Sequence, residues 1–161
     1  MSAVLGVDPG VSGGIAVLGR NGAVLYCKGV RGDMTEKALS NMVGDAVEVL
    51  RAAGGGPAFV EKVGFIKGDG GKGSFTFGGV YKFVLGCLHT RDLIVVNVYP
   101  QAWQSRMECL TGGNKNISKR KAQELWPGTK WTHAIADAAL IAEYGRRVTQ
   151  MREPLEDDPL A

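Results

Sequence analysis

Three short apolar runs open the chain with only a few turn residues between them: AVLGVD (3–8), IAVLG (15–19) and AVLYCKGV (23–30). Each is too short for an ordinary helix, and each is bounded by Gly, Asn, Pro or Ser. Runs this close can pair only with their neighbours, as an antiparallel meander. That commits about a fifth of the chain to sheet and demands helices or further strands to cover it.

The remainder alternates. RGDMTEKALSNMVGDAVEVLRAAGGG (31–56) predicts a helix with Leu39, Met42, Val43, Ala46 and Leu50 as its apolar stripe. Asp33, three before Glu36, fits a capping box, and Gly54 ends the helix. PAFVEKV (57–63) predicts a fourth strand. The glycine-rich GFIKGDGGKGSFTFGG leads into a helix with Phe77, Val80, Tyr81, Val84, Leu85 and Leu88 on one side. RDLIVVNVYP (91–100) predicts a fifth strand, apolar enough to be buried on both faces. SKRKAQELWP (118–127) predicts a short basic helix capped by Ser118, and WTHAIADAALIAEYG (131–145) predicts a final apolar one. The order βββαβαβαα makes the chain α/β, with no internal repeat.

At 161 residues this is one domain, able to bury a core without disulfides. Cys27, Cys87 and Cys109 are odd in number and lack metal-site spacing, which argues for reduced thiols in a cytosolic compartment. MSAVLGVDPG does not read as a secretory leader, and no apolar run approaches a membrane span. The net charge of +3 conceals an asymmetry. Glu153, Glu156, Asp157 and Asp158 crowd an acidic stretch at 153–161 that reads as a disordered tail, whereas residues 1–152 carry +7 and form the folded domain. A basic domain leans toward an anionic partner such as nucleic acid.

Three acids stand out by position. Asp8 ends the first strand, Glu61 lies among Phe59, Val60 and Val63, and Asp137 sits in AIADAAL one helical turn beyond His133. Ionised carboxylates are costly to bury unless paired or bound to a metal. Three acids with one imidazole and few nearby bases suit Mg²⁺ or Mn²⁺ rather than zinc. Each has a plainer reading as well. Asp8 before Pro-Gly is a common turn residue, Glu61 can pair with Lys62 or point outward, and His133 can cap the last helix beside Thr132. The GGKGS stretch is not a phosphate loop, because Gly73 follows Lys72 and Ile66 stands where the first glycine belongs. It is either a surface loop or a mobile basic one, with Lys67 and Lys72 for phosphates and Phe75 or Phe77 to wedge or stack on bases. Phe77 fits the helix stripe better. Lys119, Arg120 and Lys121 also read as a solvated helix face.

GVDPGVSGGIAV (6–17), FVEKV (59–63), VYPQAW (98–103) and HAIADAALIAEYG (133–145) together resemble the RuvC-type Holliday junction resolvases of the RNase H-like superfamily. Their order covers nearly the whole chain. The glycines and aromatics after Glu61, and a His with an acid four residues later, look most like the phage-type and plant chloroplast members. The resemblance implies a five-stranded mixed sheet of order 3-2-1-4-5 flanked by helices. It implies a site of Asp8, Glu61, His133 and Asp137 holding two Mg²⁺, with Mn²⁺ able to substitute, that hydrolyses the phosphodiester to 5′-phosphate and 3′-hydroxyl ends. It implies a four-way DNA junction as substrate, cut by paired symmetric nicks. It also implies a homodimer joined through the helix from Ser74 to Leu88, in the cytosol of a bacterial or phage-infected cell. Lys67, Lys72, Ser74, Phe75, Lys115, Lys119 and Arg120 are the candidate DNA contacts.

Two departures matter. Many bacterial members carry two acids three residues apart on the last helix, but here Ala134 occupies the position three before Asp137. Chloroplast and many phage members follow the Trp with Lys, but Gln104 follows Trp103. The phosphate contact or catalytic lysine expected there then comes from elsewhere, from Arg106, Lys115 or Lys119, or is missing. Rival readings are a nuclease of the same site on flapped DNA or RNA, and a silent junction binder. The N-terminal stretch also resembles the phosphate hairpin of actin-like ATPases, which need two such domains.

Overall fold

The computed structural model describes residues 2–62 and 71–151. The meander forms as expected: β1 (Val4–Asp8), β2 (Gly14–Leu18) and β3 (Val24–Gly29) pair antiparallel in sequence order. β4 (Ala58–Glu61) adds parallel to β1, and β5 (Val95–Val98) adds parallel to β4. The sheet order is β3-β2-β1-β4-β5. β1 is therefore central, and the carboxyl ends of β1 and β4 lie side by side, one step past the Val7–Val60 pair.

Helices cover both faces. α1 (Glu36–Ala52) and α2 (Gly71–His89) pack on one, meeting Leu5, Val7, Ile15, Val17 and Val60. α3 (Pro100–Arg106), α4 (Asn116–Leu125) and α5 (His133–Gln150) pack on the other, meeting Val4, Ala16, Leu18 and Phe59. The alternation along β1 decides the site. Val4, Gly6 and Asp8 share the face under α5. α5 sits unusually low there. A Cβ at Gly6 would run into the Ala138 carbonyl and the Ala142 amide, and one at Gly14 into the Ala134 carbonyl. Bare backbone at both positions lets the helix rest on the sheet.

Several local expectations shift. α3 was not anticipated, although Pro100 at its first turn is a helix-start signal. β5 is an edge strand, half-buried along much of its length, with Asn97 exposed, rather than buried on both faces. α1 is capped by Thr35, whose hydroxyl accepts from Ala38 N–H at 3.1 Å. Asp33 instead pairs with Arg31 at 3.2 Å, because Glu36 is the first residue of the helix and no capping box can form. Ser118 is not a cap either. α4 begins two residues earlier, and the buried Ser118 hydroxyl donates to the Lys115 carbonyl at 3.1 Å. Thr132 caps α5, accepting from Ile135 N–H at 3.5 Å.

The three cysteines are unbonded. Among the described residues no helix is long and apolar enough to cross a membrane. The acidic stretch 153–161 lies outside the described residues.

Candidate active site

A cavity of about 240 Å³ opens where β1 and β4 end beneath α5. Asp8, Glu61 and Asp137 all line it, with Gly10, Phe77, Gln104, Thr111 and Lys115 among the rest of the wall. The fold brings together acids that lie 53 and 76 residues apart in sequence.

Asp8 leaves the end of β1, and its Oδ1 accepts the Gly10 N–H at 3.2 Å. Burial is the main influence on its carboxyl and pushes it up to about 6. The Asp137 charge adds to that, while the Gly10 bond and Lys115 oppose it. Glu61 is pushed further, to about 7, by burial first and then by Asp8. It neither pairs with Lys62 nor faces solvent. Its Oε2 accepts from the indole Nε1 of Trp103 at 2.6 Å, while Lys62 donates from Nζ to the Tyr99 hydroxyl at 3.0 Å. Asp137 is also raised by burial, opposed by Ser118, Lys115 and His133. Its Oδ1 is fully buried and no donor reaches it.

His133, one turn before Asp137, is half-buried and does not line the cavity. Its Nδ1 lies 3.1 Å from the Lys115 carbonyl. A carbonyl only accepts, so Nδ1 is the donor, and in the neutral ring the lone pair falls to Nε2. Lys115 is thus held at the head of α4 by three bonds to its carbonyl, from His133, Ser118 and the Lys119 amide. Its ammonium charge acts on all three acids.

Of the other candidates, Lys119 is half-buried on α4 and Arg120 is exposed there, and neither lines the cavity. Arg106 reaches Met151 Sδ at 3.0 Å instead. Lys67, and the side chains of Lys72, Ser74 and Phe75, lie outside the described residues. Phe77 belongs to the cavity wall rather than to the core stripe, close against Gly10. Three lining or supporting residues were not anticipated in their roles: Trp103, Gln104 and Thr111. Gln104 stands where the resemblance implies a lysine. Its Oε1 accepts from Thr111, at 3.4 Å from the amide and 3.5 Å from the hydroxyl.

The donor set suits a hard divalent cation. Three carboxylates raised by burial, two of them also by a neighbouring acid, and one orphaned carboxylate oxygen describe a pocket short of positive charge. Among the described residues, no three His, Cys, Asp or Glu side chains are drawn close enough to form a ready cage. An ion would have to gather them.

No family model matches the sequence, and no curated protein matches it. Solved structures do. Thermus thermophilus RuvC, in a structure with a Holliday junction substrate, superposes with a TM-score of 0.69 at 18% identity, covering 94% of this chain and 97% of that one. The chain has the RNase H-like fold of RuvC. A second structure of Thermus thermophilus RuvC gives 0.68 at 19% identity, over 92% of this chain and 96% of that one. The yeast mitochondrial Holliday junction resolvase gives 0.60 at 14% identity, over 91% and 78%. The RuvC-type sheet order and flanking helices match the architecture expected above, with α3 added.

Proposed function

We propose that this chain is a metal-dependent endonuclease that resolves four-way DNA junctions. The observation that carries it is the meeting of Asp8, Glu61 and Asp137 in one cavity of a RuvC-type fold. At such a site Asp8, central on β1, Glu61 and Asp137 would hold the cations, with His133 joining them from the first turn of α5. Bound Mg²⁺ or Mn²⁺ would supply an activated water for in-line attack and charge stabilisation on the leaving 3′ oxygen.

The chain's own groups do the rest. Burial makes the carboxylates hungry for a cation, and Lys115 can meet the phosphate between them. The Gln104–Thr111 bonds steady the loop that leads to Lys115. Phe77 closes the cavity beside Gly10. The Lys67 to Phe75 stretch would contact DNA, and Lys119 and Arg120 would extend a basic track along α4.

Symmetric nicking of a junction needs two sites, which a homodimer provides. α2 supports that role. A Cβ at Gly78, Gly79 or Gly86 would meet nothing within 4 Å, so the helix leaves a glycine face open. Pairing His133 with Asp137 supports kinship with the phage-type and chloroplast branch.

The test uses a mobile four-way junction with each strand end-labelled in turn, beside linear duplex, flap and RNA–DNA hybrid. Paired nicks placed symmetrically across the junction, with ligatable ends and an intact linear duplex, are expected. Cutting of flaps or hybrids alone would keep the metal site and discard the substrate. Junction binding with no cutting in Mg²⁺ or Mn²⁺ would make the chain a silent binder.

A further inference from the structure

Among the described residues, Trp103 is the one large side chain of the core that spends a polar atom on the site. It is 0% exposed, yet it belongs to a seven-residue helix at the cavity's edge. Its indole N–H reaches Glu61 Oε2 at 2.6 Å, short for an N–H to oxygen bond and typical of charge assistance. The other two tryptophans point their N–H groups at backbone carbonyls, Trp126 to Gly22 at 2.8 Å and Trp131 to Trp126 at 3.0 Å. Those bonds tie loops together. The Trp103 bond instead crosses 42 residues to grip a carboxylate of the cavity.

We infer that Trp103 is a positioning residue that turns Glu61 into a one-oxygen ligand. The indole is a donor only, so whatever charge Glu61 bears, Oε2 must accept from it. The rigid ring is locked by Val98, Met107, Cys109 and the apolar side of α5, so the donor cannot swing away. With Oε2 engaged, Oε1 is the oxygen left to offer a cation. A carboxylate held this way is disfavoured from closing on the ion with both oxygens, since Oε2 already accepts one bond and rotation would break it. Outer partners of this kind orient a ligand and are ordinarily worth about 10–100-fold in metal affinity. The inference rests on the metal-dependent reading above.

Two substitutions separate aiming from filling. Trp103→Phe keeps an aromatic ring in the core and deletes the donor. Trp103→His deletes the outer ring but can place an Nε2–H where the indole N–H was, since the two five-membered rings leave Cβ alike. The bond itself is read first, without metal, in a ¹H–¹⁵N spectrum of the three indole N–H groups. The Trp103 proton is expected well downfield of the other two, and Glu61→Gln should move it upfield while leaving Trp126 and Trp131 in place. Mn²⁺ binding to the metal-free protein is then followed by electron paramagnetic resonance. Trp103→Phe is expected to weaken it about ten-fold. Trp103→His should unfold at lower temperature but bind Mn²⁺ more tightly than the Phe variant. Wild-type Mn²⁺ affinity in Trp103→Phe, or an indole proton indifferent to Glu61→Gln, would overturn the inference. Failure of the wild-type protein to bind Mn²⁺ at all, with the indole shift intact, would instead overturn the metal-dependent reading and leave the bond as structure alone.

Discussion

Replacing Asp8 with Asn separates two properties that one carboxylate holds together. The charge would hold a cation but is costly without one, since burial and Asp137 both resist it. Asp8→Asn should abolish cleavage while junction binding persists, because binding rests mainly on phosphate contacts elsewhere. The same variant, metal-free at about pH 8, should be more stable than wild type by about 1–3 kcal/mol, read from denaturant unfolding. Turnover at the wild-type rate would sink the assignment. The acids also set a pH dependence. Asp8 and Glu61 are raised from 3.8 and 4.5 to about 6 and about 7. A carboxyl whose folded value lies above its unfolded one contributes stability below the unfolded value and loses it as pH rises through the folded one. Thermal melts in chelator should therefore fall between about pH 4 and about pH 7, and Mn²⁺ should restore the loss mainly at the upper end. Glu143 runs the other way. Burial would raise it, but its bonds from Arg146 and Arg147 win and hold it low, so it acts only in more acid solution. The acids were legible in the chain as polar residues set in apolar runs. Trp103 was not, because an apolar stripe never reveals which ring nitrogen meets a carboxylate 42 residues away.

Among the elements, α5 on β1 matters most. Bare backbone at Gly6 allows the helix to sit close enough for Asp137 to share a cavity with Asp8. Gly6→Ala puts a methyl against two backbone atoms of α5, which cannot yield as a side chain would. The variant should lose about 1–3 kcal/mol of stability and weaken Mn²⁺ binding together. Unchanged affinity in a destabilised protein would show that the helix height does not set the site. The meander was plain from spacing, since short runs with glycine turns leave little choice. β5 misled because an apolar strand says nothing of its rank in the sheet; that depends on the crossover, which places it at the edge. α3 escaped because seven residues carry too little periodicity to announce a helix. The caps of α1 and α4 were misassigned for a related reason. Several Asp, Ser and Thr residues near a helix start all qualify by type, and only the true boundary selects among them.

At the scale of the molecule, charge is divided between a basic domain and the acidic stretch 153–161. Deleting that stretch removes four negative charges from a chain whose remainder is basic. Junction affinity should stay level or rise slightly, with a matching change in salt dependence, and the melting temperature should hold. Loss of folding in the shortened chain would refute the two-part division. The central strand is the first made and the helix that completes its site is the last. Protein synthesis runs in that order, so the ribosome delivers Asp8 and Glu61 long before Asp137. Until α5 has emerged and settled onto Gly6, a half-made chain holds only two of the three carboxylates that line the cavity. The cavity is thus complete only once α5, the last of the described elements in the chain, has docked.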